Sequence, residues 1–497
     1  MRNRLKQTAP FVSAGVIVGL CTALAISGCS ATASLSGAPK EGRLIDTVKS
    51  EQFDYGVMAV GRDNDLNLHR ADGLGLVHAP ALTGYSNAVL ARLIEASPMP
   101  SAPARVYLQA TPQWGASASA DANIYLNLGL VMALESEDEL AAVLAHELSH
   151  VILGHTSSDV VEKSQQQMIM LTEVAEAVEM GLVASGQIDG SVVADENVRE
   201  YEGYLLQLNT SVLSPGWNRR QETQADVLGA DIMIKAGYNK VAVLTVLAKQ
   251  AEWEKNQPEK KPPPPGTGPK IDLSAEPDVV LKQSLAVAGS GMMKAFGSIS
   301  KKHRSADKRQ ETMQTYINRE YRRAPRPAIK KMQWQMMVGA GSNKELLDNY
   351  NRAFDAEEKI VAGDLAGAES DLLAAVSGPT SAHAYPRFVF YALRHQQGNA
   401  VKALQNLEIA YMAPEPSVKI FQTASMVHIE AGRVDQAVEL LEQAYLKFDS
   451  TPALMPDLIK VYRLAGRGTD ADKLALHCAL EYPQYRELCE PEEPSAA

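Results

Sequence analysis

Positive charge is what this chain is short of. Its 48 Lys and Arg stand against 59 Asp and Glu, a net charge of −11 over 497 residues. A groove for nucleic acid needs a basic stripe, so that class of partner is not expected. Long apolar runs are missing too. The longest, from Phe11 to Ile26, is too short and too rich in small residues to read as a membrane span. Cysteine is scarce, with four in the chain, so placement tells more than number: Cys21 and Cys29 lie near one end, Cys478 and Cys489 near the other. The length itself calls for two or more domains and allows a large buried core.

Arg2, Arg4 and Lys6 precede the apolar run, which closes in Ile26-Ser27-Gly28-Cys29. Residues 1–28 therefore read as a secretory signal. The closing tetrapeptide resembles the bacterial lipobox, which implies cleavage before Cys29 and lipidation of Cys29. Ser30 follows, a non-acidic residue of the kind that usually sends lipoproteins to the outer membrane. The expected address is the periplasmic side of the outer membrane in a Gram-negative cell, with the membrane contacted through lipid. Residues 29–45, rich in Ser, Ala and Gly, would be the flexible tether. An oxidising compartment lets Cys478 and Cys489 pair as a terminal staple; two free buried thiols are the alternative.

The densest chemistry lies in residues 136–155. Ser136 with Glu139 three residues on is a capping box, and Glu137, Asp138 and Glu139 put negative charge on the positive end of a helix dipole. Leu140, Val143, Leu144 and Val151 recur at helical spacing, and Gly154 is a natural stop. On such a helix His146 and His150 share a face one turn apart, a spacing that suits two imidazoles on one Zn²⁺. Glu147 beside them would take a proton from water on the metal. The other reading, two solvated histidines on a polar face, fits poorly inside a capped apolar helix.

A second stretch, Glu222-Thr223-Gln224-Ala225-Asp226, reads as part of a helix ending near Lys235 and closed by Gly237. Glu222 and Asp226 sit carboxylate above carboxylate on one face, so they need a cation or hydrogen-bond donors nearby. A catalytic zinc takes three protein ligands, and its imidazoles commonly donate their other N–H to a carboxylate. Glu222 as the third ligand and Asp226 as that acceptor meet both needs.

His146-Glu147-Leu148-Ser149-His150 followed by Glu222-Thr223-Gln224-Ala225-Asp226 resembles the gluzincin metalloproteases of HtpX and CAAX prenyl protease type. Among these, the BepA-like periplasmic enzymes with C-terminal tetratricopeptide repeats are the nearest likeness. The resemblance implies one Zn²⁺ per chain, held by His146, His150 and Glu222, with Glu147 as general base. Metzincin spacing fails, because its glycine and third histidine would fall at Leu153 and Thr156. His155 is one place off that spacing and reads as marking the helix end. Lys302-His303-Arg304 with Arg309 resembles the family's loop of form T-H-P-x-x-x-x-R, with Arg304 where proline is usual. That implies His303 as a fourth ligand or gate, against a plain surface histidine; Arg309 would orient the loop.

Elsewhere, residues 104–110 and 123–128 read as strands and 114–120 as a loop between them. Residues 121–128 are expected to pair with extended substrate, or else to be a core strand. His69 and His78 read as surface or packed histidines. Residues 157–213 carry amphipathic helical stripes, Pro262 to Pro265 mark an extended insertion over 254–279, and a helix is expected from about 279 to 299. Farther on, Gly363, Gly398, Gly432 and Gly466 recur at intervals of 35, 34 and 34, each with an alanine five places later. That period predicts tetratricopeptide repeats.

The expected fold is α+β, mainly α. A zincin-type metallopeptidase domain with a small sheet would occupy 46–338, and an α-solenoid of repeats would occupy 339–490. The expected function is a lipid-anchored zinc endopeptidase cutting misfolded or stalled envelope proteins, with repeats that recruit substrate or partner. The resemblance adds the β-barrel assembly machinery as a candidate partner. The rival reading is a gated, chaperone-like assembly scaffold with little proteolysis.

Overall fold

The described residues of the computed structural model are 41–49, 66, 75–119, 121–155, 219–256, 305–482 and 485–489. The signal segment, Cys29, His69, the stripes of 157–213, the proline run and the helix expected over 279–299 lie outside them. The described residues are mainly helical, with one three-stranded sheet among them. No helix among the described residues is long and apolar enough to cross a membrane.

Helix α1 (Pro80–Ala96) starts on Pro80, whose fixed φ and missing N–H suit a first turn. Strands β1 (Arg105–Gln109), β2 (Ala116–Ala118) and β3 (Asn123–Asn127) follow, then the short α2 (Leu128–Ala133) and α3 (Glu137–Ile152). The sheet order is β1-β3-β2, with β3 parallel to β1 and antiparallel to β2. Arg105 faces Asn123 in the first pairing and Ala116 faces Leu126 in the second. Residues Asn123 to Leu126 are all buried, so the central strand is covered on both faces.

The acids of the first turn of α3 do more than complement its dipole. Glu137 accepts from Arg92 at 2.7 Å, Tyr238 at 3.2 Å and Lys330 at 3.2 Å, and Tyr85 also donates to it. Asp138 accepts the backbone N–H groups of Asn239 at 2.7 Å and Lys330 at 2.6 Å. Three distant segments are thereby tied to one helix end, which fixes where α3 points.

Helices α4 (Arg219–Lys235) and α5 (Val241–Asn256) pack against α3, and α6 (Ala306–Glu320) packs on α5 and α4; the first residues of the expected insertion, up to Asn256, are helical. α7 (Lys331–Gly339) is anchored by Trp334, whose indole N–H donates to Leu134 O at 2.7 Å.

From α8 the chain is a series of hairpins: α8 (Gly341–Val361) with α9 (Leu365–Ala375), α10 (Ala384–Gln396) with α11 (Ala400–Tyr411), α12 (Val418–Glu430) with α13 (Val434–Lys447), and α14 (Met455–Leu464) with α15 (Gly468–Glu481). The four period glycines each close the first helix of a pair at positive φ, between 70° and 80°. Ala368, Ala403, Ala437 and Ala471 are buried where the paired helices meet. A short α16 (Arg486–Cys489) ends the chain's described part, and a disulfide joins Cys478 to Cys489. One apolar core runs from Val77, just before α1, through Leu393 in α10.

Candidate metal centre

The local sequence explains the geometry of α3. Ser136 caps it by accepting Glu139 N–H at 3.2 Å, while the Glu139 carboxylate reaches past the cap to Glu135 N–H at 2.7 Å. At the other end Gly154 takes φ +64°, His155 N–H returns to His150 O at 3.0 Å, and Gly154 N–H returns to Val151 O at 3.1 Å. That is a Schellman turn, which folds the residue after the glycine back over the helix.

The structure brings His146, His150 and Glu222 together, with their candidate ligand atoms all within 4.8 Å of one another. Nε2 of His146 lies 3.2 Å from Nε2 of His150. Glu222 approaches them at 3.8 and 3.9 Å. Two donors each about 2.1 Å from a tetrahedral ion stand roughly 3.4 Å apart, so the imidazole pair already has zinc spacing. Two nitrogens and one carboxylate oxygen are a donor set suited to a catalytic zinc. Glu147 is buried beside them, and its Oε2 has no hydrogen-bond partner among the described residues. Burial pushes its pKa up to about 7, the range in which a carboxylate takes a proton readily.

Charge balance comes from Arg309 on α6. Its guanidinium holds Asp226 through two contacts at 2.9 and 2.7 Å and reaches Glu222 at 3.0 Å. Burial works against the Asp226 anion, but Arg309 and His146 outweigh it and hold the carboxyl well below its usual range. Asp226 Oδ1 in turn lies 3.0 Å from Nδ1 of His146. Burial would lower the His146 pKa, yet Asp226 raises it overall.

Residues 80–315 match the family model for "Peptidase family M48". Over that stretch, which holds His146, Glu147, His150, Glu222, Asp226 and Arg309, the chain is similar to M48 peptidases. The beta-barrel assembly-enhancing proteases of Yersinia pestis and Escherichia coli K12 are 28% and 27% identical to it over 187 residues, 37% of this chain and 36% of theirs. Metalloprotease LoiP of Escherichia coli is 26% identical over 153 residues, 31% of this chain and 53% of its own. The chain thus spans little more than a third of the length of the two assembly-enhancing proteases.

Within the matched residues three expectations change. β3 cannot accept a substrate strand, because β1 and β2 occupy both of its edges. The outer edge of β1 meets Leu76 through a bridge to Gln109, which leaves the outer edge of β2 without a ladder partner among the described residues. β2 also packs on α3. Its Ala116-Ser117-Ala118 sequence has no β-branched or aromatic residue to announce a strand.

Arg309 sits in the first turn of α6, not in a loop, and touches the acids of the site directly. His155 is no mere helix end. It is buried, its Nδ1 is 3.1 Å from Nδ1 of His150, and burial lowers its pKa to about 4. The Gly154 stop was the signal that could have placed it. His303 lies outside the described residues. His78 is exposed, with its ring 6.3 Å from that of His383.

Proposed function

We propose that this chain is a zinc-dependent endopeptidase of the cell envelope. The observation that carries the reading is the convergence of His146, His150 and Glu222 from two helices onto one point, with Glu147 adjoining. Zinc held by these three would supply Lewis acidity, polarising a peptide carbonyl and acidifying water. Glu147 takes the proton of the attacking water and delivers it to the leaving amine. Asp226 fixes the His146 ring, and Arg309 keeps the buried acids charged and apart. The outer edge of β2, without a ladder partner among the described residues, is the place for an extended substrate to add as a strand, since main-chain pairing aligns a scissile bond without regard to side chain.

Lipidation at Cys29 would hold the enzyme on the periplasmic face of the outer membrane. The helical hairpins read as tetratricopeptide repeats that recruit substrate or partner. The substrates in this reading are misfolded or stalled envelope proteins, and the names of the Yersinia and Escherichia relatives, which speak of β-barrel assembly, support the β-barrel assembly machinery as partner. The scaffold reading draws on one observation, the hold of Arg309 on Glu222, which competes for that carboxylate.

Unfolded casein with zinc-loaded protein separates the two. Cleavage that Glu147→Gln abolishes while zinc content stays, and zinc content that Glu222→Ala lowers, is the expected result. A wild type that binds zinc but cuts nothing, with Glu147→Gln still rescuing a deletion strain, would establish the scaffold instead.

A further inference from the structure

The two imidazoles of the site are braced in unlike ways. His146 turns Nε2 toward the metal point and backs its Nδ1 against the Asp226 carboxylate at 3.0 Å. His150 also turns Nε2 to that point, but its Nδ1 faces a third imidazole, that of His155, at 3.1 Å. We infer that His155 is the positioning residue for His150, accepting its Nδ1–H and so fixing the ring and tautomer that present Nε2 to zinc. The inference rests on the zinc-peptidase reading above.

Three features support it. The Schellman turn at Gly154 places His155 over His150 by backbone hydrogen bonds alone, since the residue after the positive-φ glycine lands on the residue five back. His150 is fully buried and His155 nearly so, at 0% and 7% exposure, so no bulk water competes for the pair. His155 also hydrogen-bonds the side chain of Gln224, which lies on α4 between Glu222 and Asp226. The chain of contacts therefore runs from His150 through His155 to the helix that supplies the carboxylate ligand. With Nδ1 of His155 accepting, its Nε2–H is the donor toward Gln224, and the tautomers of both rings are set together.

The choice of imidazole over carboxylate has a charge rationale. Glu147, Glu222 and Asp226 are already buried around the Arg309 guanidinium, which pairs with both Glu222 and Asp226. A fourth buried anion would add to that charge, whereas a neutral acceptor orients His150 without doing so.

The test compares zinc affinity in full-length mature protein by competition against a chromophoric chelator, with casein turnover measured in parallel. His155→Phe fills the ring volume but offers no acceptor; His155→Asn places Oδ1 near the lost Nδ1. Expected is a zinc affinity roughly 10- to 100-fold weaker in His155→Phe, the usual range for losing such a partner, with most of it restored in His155→Asn. Equal affinity in wild type and His155→Phe overturns the inference, as does an Asn variant as weak as Phe, since packing alone would then be at work. Should His155→Phe fail to fold, His155→Gln replaces it: its oxygen stands in for Nε2 instead, so it should bind zinc more weakly than His155→Asn, and equality overturns the inference. A wild type without zinc sinks the metal reading itself, which is a distinct outcome.

Discussion

Gly229 on α4 is where the helix carrying Glu222 and Asp226 crosses the helix carrying the two histidines. A methyl group placed there would meet His146 N at 3.0 Å and Ala145 C and O at 3.1 Å, all backbone atoms and hence unable to swing aside. Ordinary contact begins near 3.4 Å, so α4 would have to retreat by about half an ångström. Two terms oppose each other in Gly229→Ala. Helix propensity favours Ala by about 1 kcal/mol; forcing a methyl into a packed crossing costs roughly 1–3 kcal/mol. The net is a destabilisation between about zero and 2 kcal/mol.

The sharper effect is on the metal, because the atom pushed is the backbone of a ligand. Misplacing a reacting group by an ångström costs about a hundredfold, so half that displacement should weaken zinc binding and turnover by about tenfold. Gly84, inside α1 with nothing within 4 Å of a new methyl, is the control. Gly84→Ala should gain about 1 kcal/mol and keep full zinc affinity. Urea unfolding and chelator competition on both variants give the two numbers. If Gly229→Ala matches Gly84→Ala in both, the close crossing does not set the site, and the reasoning is refuted.

Two further outcomes follow from groups outside the site. Cys478 and Cys489 close a loop eleven residues apart in sequence, worth about 3 kcal/mol of chain entropy. Replacing both with Ser should loosen the last helices, read as faster amide exchange in α15 and α16 with zinc content unchanged; unchanged exchange in α15 and α16 would show that the bond adds nothing. Asp231 is buried under the hydroxyls of Tyr316 and Tyr321 at 2.7 and 2.8 Å and the N–H of Ile45 at 3.0 Å, and burial pushes its pKa up to about 6. The native state then holds a proton that the unfolded chain releases, so stability falls as pH rises from about 4 to 6 and is level above. A shift of about two units corresponds to about 3 kcal/mol. The unfolding free energy of Asp231→Asn, subtracted from that of the wild type, should drift by that amount across the window, and parallel curves would refute it.

What the sequence disclosed about this fold was what is written within a few turns of chain. The cap at Ser136, the acids on the α3 dipole and the stops at Gly154 and Gly237 are local, and each appears at its expected residue. The pairs His146–His150 and Glu222–Asp226 were legible for the same reason: spacing by four on a helix is a geometric statement needing no tertiary knowledge. Even the demand for a cation beside the two acids could be stated from charge alone.

Its answer could not. Arg309 meets Asp226 across 83 residues, and only packing of α6 against α4 decides which of many arginines arrives. The edge strand was lost for a related reason. Three small residues carry no β signal, so β2 exists because β3 offers it a ladder, not because its side chains prefer extension. His155 differs from both, since the turn that places it was in hand. Reading Gly154 only as a terminator discards half of what such a glycine does. A positive-φ stop also chooses the residue that returns over the helix, and in this chain that residue lies on a candidate ligand.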